Sequence, residues 1–257
     1  MKKNTCNVLI CLIFLMTVCC CNNLIAEVIM VGGYDFPPFV EVKKDNVVDG
    51  ITKQLIIEMN QIQKKYKFKF CLTSPKRRYF DFDQKKYDLI MFEDINWGWK
   101  KKNVFASKVF LKGGEVYITK AAPNKNQIYF NNLKNKNIAI IKGYHYGFAD
   151  FNSNEKFLRD NFKVQFSSYH EGNILKVIFE RADISVVNLC YLRQFFYYNP
   201  EQKKQIMVSD KFDQQYNHTI LARTNAKISI EEINRLLTKM EKAGIISQLA
   251  CKQDNNN

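Results

Sequence analysis

The sequence lacks the cysteine spacing of a disulfide-rich or zinc-binding domain, although eight cysteines occur in its 257 residues. Five of them lie among the first 21 residues, which leaves only Cys71, Cys190 and Cys251. Three such distant cysteines do not make a disulfide framework, and they allow at most one bridge with one free thiol. No CxxC or Cys/His cluster has metal-ligand spacing, so no metal site is predicted.

A hydrophobic run long enough to span a membrane is also missing. The longest apolar run, residues 8–18, is shorter than the roughly 18 residues of a membrane helix. It follows two lysines and precedes the small-residue segment 24–26, as in a secretory leader. We therefore predict a signal peptide over residues 1–26, a periplasmic location and no membrane span in the mature chain. Cys19–Cys21 leave lipoprotein anchoring as a less favoured alternative.

Acidic residues are scarce relative to basic ones, with 25 Asp and Glu against 39 Lys and Arg and a net charge of +14. The lysines are scattered in short runs, which is typical of a solvated basic surface. Because an exported chain rarely meets nucleic acid, no nucleic-acid partner is predicted. Attraction to an acidic ligand or to anionic lipid headgroups is the weaker alternative.

Strand patterns alternate with helix patterns along the rest of the chain, without an internal repeat. Predicted strands cover residues 28–31, 68–70, 87–92, 114–120, 137–141, 164–166, 182–187, 206–208 and 219–222. Predicted helices cover residues 51–62, 80–86, 171–181, 189–196 and 229–243, and a further helix is expected after Gly143. This alternation predicts an α/β protein with mainly parallel sheets. About 230 residues are enough for one large domain or for two lobes of about 100 each.

Seven short segments resemble, in order, motifs of the extracellular solute-binding proteins, family 3, of amino-acid uptake systems. They are Tyr34–Phe39, Asp49–Ile51, Lys86–Ile90, Phe105–Ser107, Ile138–Gly143, Arg181–Ile184 and Lys242–Ile246. The resemblance implies a two-lobed periplasmic-binding-protein type II fold, each lobe a mixed, mostly parallel sheet flanked by helices. Lobe 1 would comprise residues 27–118 plus 208–250, lobe 2 residues 119–207, and 251–257 a tail.

The resemblance also implies a function. A small polar or charged ligand would bind in the cleft between the lobes and close it by a hinge motion. The protein would deliver this ligand to an ABC permease or sense it, as a monomer and without a cofactor.

Both anchors that the family uses for α-amino acids are altered here. The arginine that holds the ligand carboxylate falls on Trp99 or Lys100, and neither offers a forked guanidinium. The aspartate that pairs with the ligand ammonium falls on Asn188, which carries no charge. We therefore expect standard α-amino acids to be poor ligands.

Other charged residues are candidates to replace these anchors. Arg77 or Arg78 would hold an anionic ligand, unless both are solvated at a helix start. Glu93 and Asp94 end a buried strand and would receive an amine or form an acid/base pair, unless they cap a turn.

Aromatic residues are expected to line the cleft, since such walls stack flat or cationic ligands. Trp97 and Trp99, two residues apart, would present both indoles on one face of an extended segment. They would form a wall with Tyr34, Phe36 and Phe39, and ordinary core packing is the alternative. Tyr144 and His145 replace the small hydroxyl residues of the family's loop at a helix start, which narrows the cleft or adds contacts.

No catalytic constellation is evident, so a binding protein rather than an enzyme is predicted. One alternative is a cyclohexadienyl-dehydratase-like enzyme on the same fold, with Glu93 or Asp94 as its general acid. The other is a binding module that recognises a partner protein or wall fragment without transport.

Overall fold

The computed structural model describes residues 26–43 and 48–249. The predicted signal peptide apart from Ala26, the lipoprotein alternative, Cys251 and the tail lie outside these residues. Cys190 is disulfide-bonded and Cys71 is free. In the described part of the chain, no helix is long and apolar enough to cross a membrane.

Strands and helices alternate as predicted. The strands are β1 Glu27–Gly33, β2 Glu41–Val42, β3 Val48–Asp49, β4 Tyr66–Leu72, β5 Leu89–Glu93, β6 Val104–Ala106, β7 Leu111–Lys120, β8 Ile138–Ile141, β9 Val164–Ser167, β10 Ile184–Asn188 and β11 Ile206–Arg223. The α-helices are α1 Ile51–Gln61, α2 Arg78–Asp83, α3 Glu155–Asn161, α4 His170–Ile178, α5 Leu189–Tyr198, α6 Pro200–Lys203, α7 Ile230–Lys242 and α8 Ile245–Leu249. Short 3-10 turns cover Trp99–Lys101, Gln127–Asn131 and Gly147–Ala149.

The main sheet has the strand order β4-β1-β5-β11-β7-β10-β8-β9, and β6 pairs with β11. Strand β1 is parallel to β4 and β5, and β8 is parallel to β9 and β10, whereas β7 and β11 pair antiparallel with their neighbours. Lobe 1 contains β4, β1, β5 and β6, and lobe 2 contains β10, β8 and β9. The predicted two-lobed α/β fold is thus confirmed, while the residue limits of the lobes stay a prediction.

Strands β7 and β11 connect the lobes and correct one expectation. Residues 206–208 and 219–222 were expected to be separate strands, but β11 is continuous over 18 residues. The intervening segment is mostly polar and carries no clear alternation, so its hydrophobic pattern does not indicate a strand. Backbone pairing with β7 supplies its hydrogen bonds instead, with irregularities between Val208 and Gln214.

The helix expected directly after Gly143 is absent from the described segment that follows it. Only the 3-10 turn Gly147–Ala149 forms there, and α3 begins at Glu155. Asp150 and Phe151 have positive φ angles, 50° and 59°, which interrupt a right-handed helix.

Each lobe buries its own apolar faces. In lobe 1, helix α7 buries Ile233, Leu236, Leu237 and Met240. Gly244 then adopts a φ of 72°, a conformation typical of a glycine that ends a helix. In lobe 2, α4 buries Ile174, Val177 and Ile178 against the sheet. These layers place the loops that follow β1, β5 and β8 at the junction between the lobes.

Candidate functional site

Six of the predicted site residues surround one small cavity between the lobes. Its lining is completed by one residue from each connecting strand, Glu115 of β7 and Gln214 of β11. The six are Tyr34, Phe36, Arg78 and Trp97 from lobe 1 and Tyr144 and His145 from lobe 2. The cavity has a volume of only about 10 Å³, so side chains fill most of the cleft in this closed arrangement.

Strand ends position these side chains. Tyr34 and Phe36 follow β1 in a tight loop in which the Phe36 backbone N–H bonds the Val40 carbonyl. Trp97 follows β5, and Tyr144 follows β8 after Gly143, whose φ of 84° favours glycine. Phe36 lies edge-on to both Trp97 and Tyr144, at 5.7 and 5.6 Å between ring centroids. The aromatic contact therefore crosses from one lobe to the other.

Arg78 is the charged centre of the cleft. Its guanidinium is buried and lies over the rings of Tyr34 and Tyr79, at 4.7 and 4.5 Å. Its Nη1 donates to the carbonyls of Pro75 in lobe 1 and Gly143 in lobe 2, and its Nη2 lies 3.2 Å from Nδ1 of His145. Arg78 thus contacts both lobes.

Glu93, at the end of β5, is the anion that pairs with Arg78. Its Oε1 lies 3.5 Å from Arg78 Nε, and its Oε2 accepts a 2.6 Å hydrogen bond from Trp99 Nε1. Burial raises the pKa of Glu93, while Arg78 and the Trp99 hydrogen bond oppose that rise. Glu93 is therefore engaged inside lobe 1 and does not line the cavity.

The Asp94 side chain accepts hydrogen bonds from the main chain. Its two oxygens accept hydrogen bonds from the amides of Asn96 and Asn217, at 2.8 and 2.9 Å. This is the turn-capping role that the sequence left open as the alternative. Each carboxylate oxygen of Asp94 thus already accepts one main-chain hydrogen bond.

Trp99 and Lys100 do not reach the cavity, and the expectation that Trp97 and Trp99 share one face is wrong. Gly98 between them has a φ of 80°, so the chain turns rather than extends. Trp99 is fully buried against Tyr79, at 4.8 Å, while Lys100 is exposed.

Arg77 also lies away from the cavity. Its side chain is 62% exposed and sits 3.4 Å from Asp81, one turn further along α2. The solvated-arginine alternative therefore describes Arg77, whereas the buried position belongs to Arg78.

Phe39 and Asn188 line a separate open groove of about 330 Å³, together with Lys112 and Arg193. Asn188 caps α5, because its Oδ1 accepts the Tyr191 backbone N–H. Its Nδ2 donates to the Tyr216 hydroxyl at 2.5 Å. The amide is thus occupied at both ends by the protein.

Glu115 and Gln214 are cavity residues that the sequence patterns did not identify. Burial raises the pKa of Glu115 to about 8, and Gln214 donates to it at 2.8 Å. Burial, with the nearby Arg78 charge, lowers the pKa of His145 to about 3. At neutral pH the first is mostly protonated and the second is neutral. The one available signal was a glutamate placed between glycines and an apolar strand segment.

A wider groove of about 560 Å³ lies between Thr73–Lys76 of lobe 1 and Ser167–Tyr169 of lobe 2. Pro75 lines this groove, and its carbonyl accepts the Arg78 hydrogen bond. Across residues 26–43 and 48–249, no group of three or more His, Cys, Asp or Glu side chains is placed to hold a metal ion.

Comparison with known proteins identifies the fold. No protein-family model and no curated protein matches the chain. A mutant of ArgBP from T. maritima superposes with a TM-score of 0.66 at 21% identity, covering 87% of this chain and 93% of that one. The probable amino-acid ABC transporter extracellular-binding protein ytmK from Bacillus subtilis gives 0.67 at 15% identity, covering 90% and 99%.

An ancestral amino acid-binding protein, described as a precursor of cyclohexadienyl dehydratase, gives a TM-score of 0.64 at 18% identity, covering 87% of this chain and 93% of that one. These likenesses extend over nearly the whole described chain and over nearly the whole of each neighbour. The chain therefore has the two-lobed fold of the amino-acid-binding and ABC-transporter substrate-binding proteins.

Proposed function

We propose that this chain is a periplasmic solute-binding protein that captures a small polar ligand in the interlobe cleft. The observation that carries the proposal is the origin of the cavity lining, which comes from both lobes and both connecting strands. Rotation of one lobe against the other about β7 and β11 would open every wall of this site at once. Delivery of the ligand to an ABC permease, or its sensing, by a monomer, completes the proposal.

The proposed ligand is not a standard α-amino acid. Neither Trp99, Lys100 nor Asn188 lines the cavity, so the two positions that resemble the family's amino-acid anchors cannot hold a zwitterion there. Arg78 lines it, but its charge is already paired with Glu93. Aromatic surfaces and neutral hydrogen-bonding groups remain for recognition.

A thermal-shift screen of residues 27–257 tests this function. Amino acids, polyamines, organic acids and peptidoglycan fragments form the panel, since a ligand at 100 times its Kd stabilises by about 2.7 kcal/mol. Calorimetry on Phe36→Ala and Trp97→Ala should show weaker binding of any hit. Phe105→Ala, at a half-exposed residue of lobe 1, is the control and should bind normally. Unchanged binding in both cavity variants would place the ligand elsewhere.

A dehydratase-like enzyme is the second candidate, and Glu115 is the residue that favours it. A carboxyl group that keeps its proton near neutral pH beside a cavity is what a general acid requires. Glu93 and Asp94, the earlier candidates for this role, are held by Arg78 and by backbone amides. Turnover of prephenate or arogenate, abolished in Glu115→Gln, would establish an enzyme. Absence of turnover by the native protein favours the binding protein.

A binding module without transport is the third candidate. Two results together would favour this module over transport. The protein would bind a wall fragment with the same dependence on Phe36 and Trp97, and deletion of the protein would leave cellular uptake of that fragment unchanged.

A further inference from the structure

Arg78 has the set of partners that a protein offers to a bound guanidinium. Two aromatic rings lie against the cation, two backbone carbonyls accept its N–H groups, and a buried carboxylate pairs with it. Planar, delocalised charge of this kind is recognised by such stacking and by forked hydrogen bonds. Arg78 therefore occupies a cation site built from both lobes.

Glu93 has the complementary set of partners. It is 0% exposed, and its Oε2 accepts the hydrogen bond from Trp99 Nε1. Arg78 Nε lies 3.5 Å from Oε1 as an ion-pair partner without a hydrogen bond, and Tyr34 also interacts with this carboxylate. Among the residues that the structure describes, Arg78 is the one cation within salt-bridge distance of Glu93. Each member of the pair is thus the other's counter-ion in a site closed to solvent.

The titratable groups around the pair supply no second counter-ion for either charge. His145, which contacts Arg78, is neutral above acidic pH because burial lowers its pKa to about 3. Asp94 is turned toward backbone amides, and Gln214 bonds the mostly protonated Glu115. Removal of one member of a buried pair leaves an uncompensated charge, which is strongly unfavourable.

We propose that Arg78 and Glu93 act as built-in ligands for each other. Glu93 would neutralise, from inside lobe 1, the Arg78 cation that lines the interlobe cavity, so that the solute bound there is uncharged. The conclusion about the solute rests on the proposed solute-binding function. The internal pair itself does not, because it is defined by contacts within this chain.

The pair can be tested by taking out one member at a time and supplying the missing group. Arg78→Ala removes a side-chain end equivalent to ethylguanidinium, and Glu93→Ala removes the equivalent of acetate. Calorimetry at constant ionic strength would measure binding of both ions to both variants. The neighbouring exposed arginine provides a matched control, Arg77→Ala.

The expected result is a crossed pattern. Arg78→Ala binds ethylguanidinium about tenfold or more tightly than the wild-type protein does, and shows no gain for acetate. Glu93→Ala gains acetate affinity by a similar factor and gains none for ethylguanidinium. Arg77→Ala behaves as the wild type toward both. Equal weak binding of each ion by all four proteins would overturn the internal pair.

If a single variant does not fold in buffer, the readout becomes refolding yield with and without the matching ion. Recovery with ethylguanidinium alone for Arg78→Ala, and with acetate alone for Glu93→Ala, supports the pair. No recovery with the matching ion, or equal recovery with either, contradicts it.

The charge of the solute is decided separately on the wild-type protein. A charged hit from the ligand screen that loses binding in Phe36→Ala would refute an uncharged solute and leave the proposed function intact. A screen without any hit that depends on Phe36 or Trp97 would instead contradict the proposed function. The binding of ethylguanidinium and acetate to the alanine variants would still test the internal pair independently.

Discussion

The hydroxyl of Tyr144 donates a 2.6 Å hydrogen bond to the main-chain carbonyl of Asp35, joining the loop after β8 to the loop after β1. Tyr144 lines the cavity between the lobes, so its ring extends into the cleft. Asp213 of β11 adds a second connection, because it accepts the backbone N–H groups of Gly147 and Phe148. The closed cleft is therefore held by the chain's own contacts.

Tyr144→Phe should loosen this closure. The variant keeps the ring but loses the hydroxyl donor to Asp35, which we expect to lower stability by about 1 kcal/mol. Small-angle scattering should show a larger radius of gyration than for the native protein. Tyr198→Phe, at a residue 71% exposed, serves as the control and should change neither quantity. An unchanged radius in Tyr144→Phe would show that other contacts hold the lobes together.

Trp99→Phe should destabilise the protein more than Trp97→Phe. The first removes the indole donor to the buried Glu93 carboxylate, and loss of a hydrogen bond to a charged acceptor costs about 1.5–3 kcal/mol even though Arg78 remains as counter-ion. The second removes only a neutral 2.9 Å hydrogen bond to Gln214 Oε1, worth about 1 kcal/mol. Urea denaturation of both variants gives the two losses. An equal loss would indicate that packing, not the carboxylate, sets the importance of Trp99.

The sequence predicted the fold better than the site. The fold depends on the local spacing of apolar residues, whereas the site depends on backbone conformation and on contacts between distant residues. The spacing of apolar residues predicted helices α4 and α7. The spaced motifs placed Tyr34, Phe36 and Tyr144 in loops that meet between the lobes. Arg77 and Arg78 are adjacent, and only the start of α2 decides which one is buried. Gly98 reverses the chain between the tryptophans, a backbone conformation that residue spacing does not reveal.

Glu115 is a cavity residue that the sequence patterns did not identify. Its strand was predicted, but its role depends on Gln214, which is 99 residues away in the sequence. No local pattern reports such a pairing across the two connecting strands. Its raised pKa comes from burial between the connecting strands, which the local sequence does not show.

His170→Phe should reduce the acid sensitivity of the protein. Burial lowers the pKa of His170 from 6.5 to about 4, so the unfolded chain takes up a proton before the folded protein does. This residue therefore favours the folded state fully above pH 6.5, and that contribution is lost as pH falls toward 4.

Phenylalanine cannot be protonated and keeps an aromatic ring beside Tyr191. The ring centroids of His170 and Tyr191 are 5.2 Å apart in the native protein. The variant should gain stability relative to the native protein as pH falls through this window. Urea denaturation at neutral pH and at pH values below 6.5 would measure the gain. A constant difference across the pH range would contradict the assigned titration.

Glu115→Gln should have the opposite pH signature. Burial, with the nearby Asp213, raises the pKa of Glu115 from 4.5 to about 8, so the folded protein retains a proton that the unfolded chain has lost. Stability should consequently fall as pH rises from 4.5 toward 8.

Glutamine is uncharged at every pH and still accepts the Gln214 hydrogen bond. The variant should match the native protein at acidic pH and exceed it above pH 8 by a few kcal/mol, on the order given by the pKa shift. Glu201→Gln, at an exposed residue, is the matched control. Parallel stability curves for Glu115→Gln and the native protein would show that Glu115 ionises normally in the closed cleft, which would also remove the support for a general acid at this position.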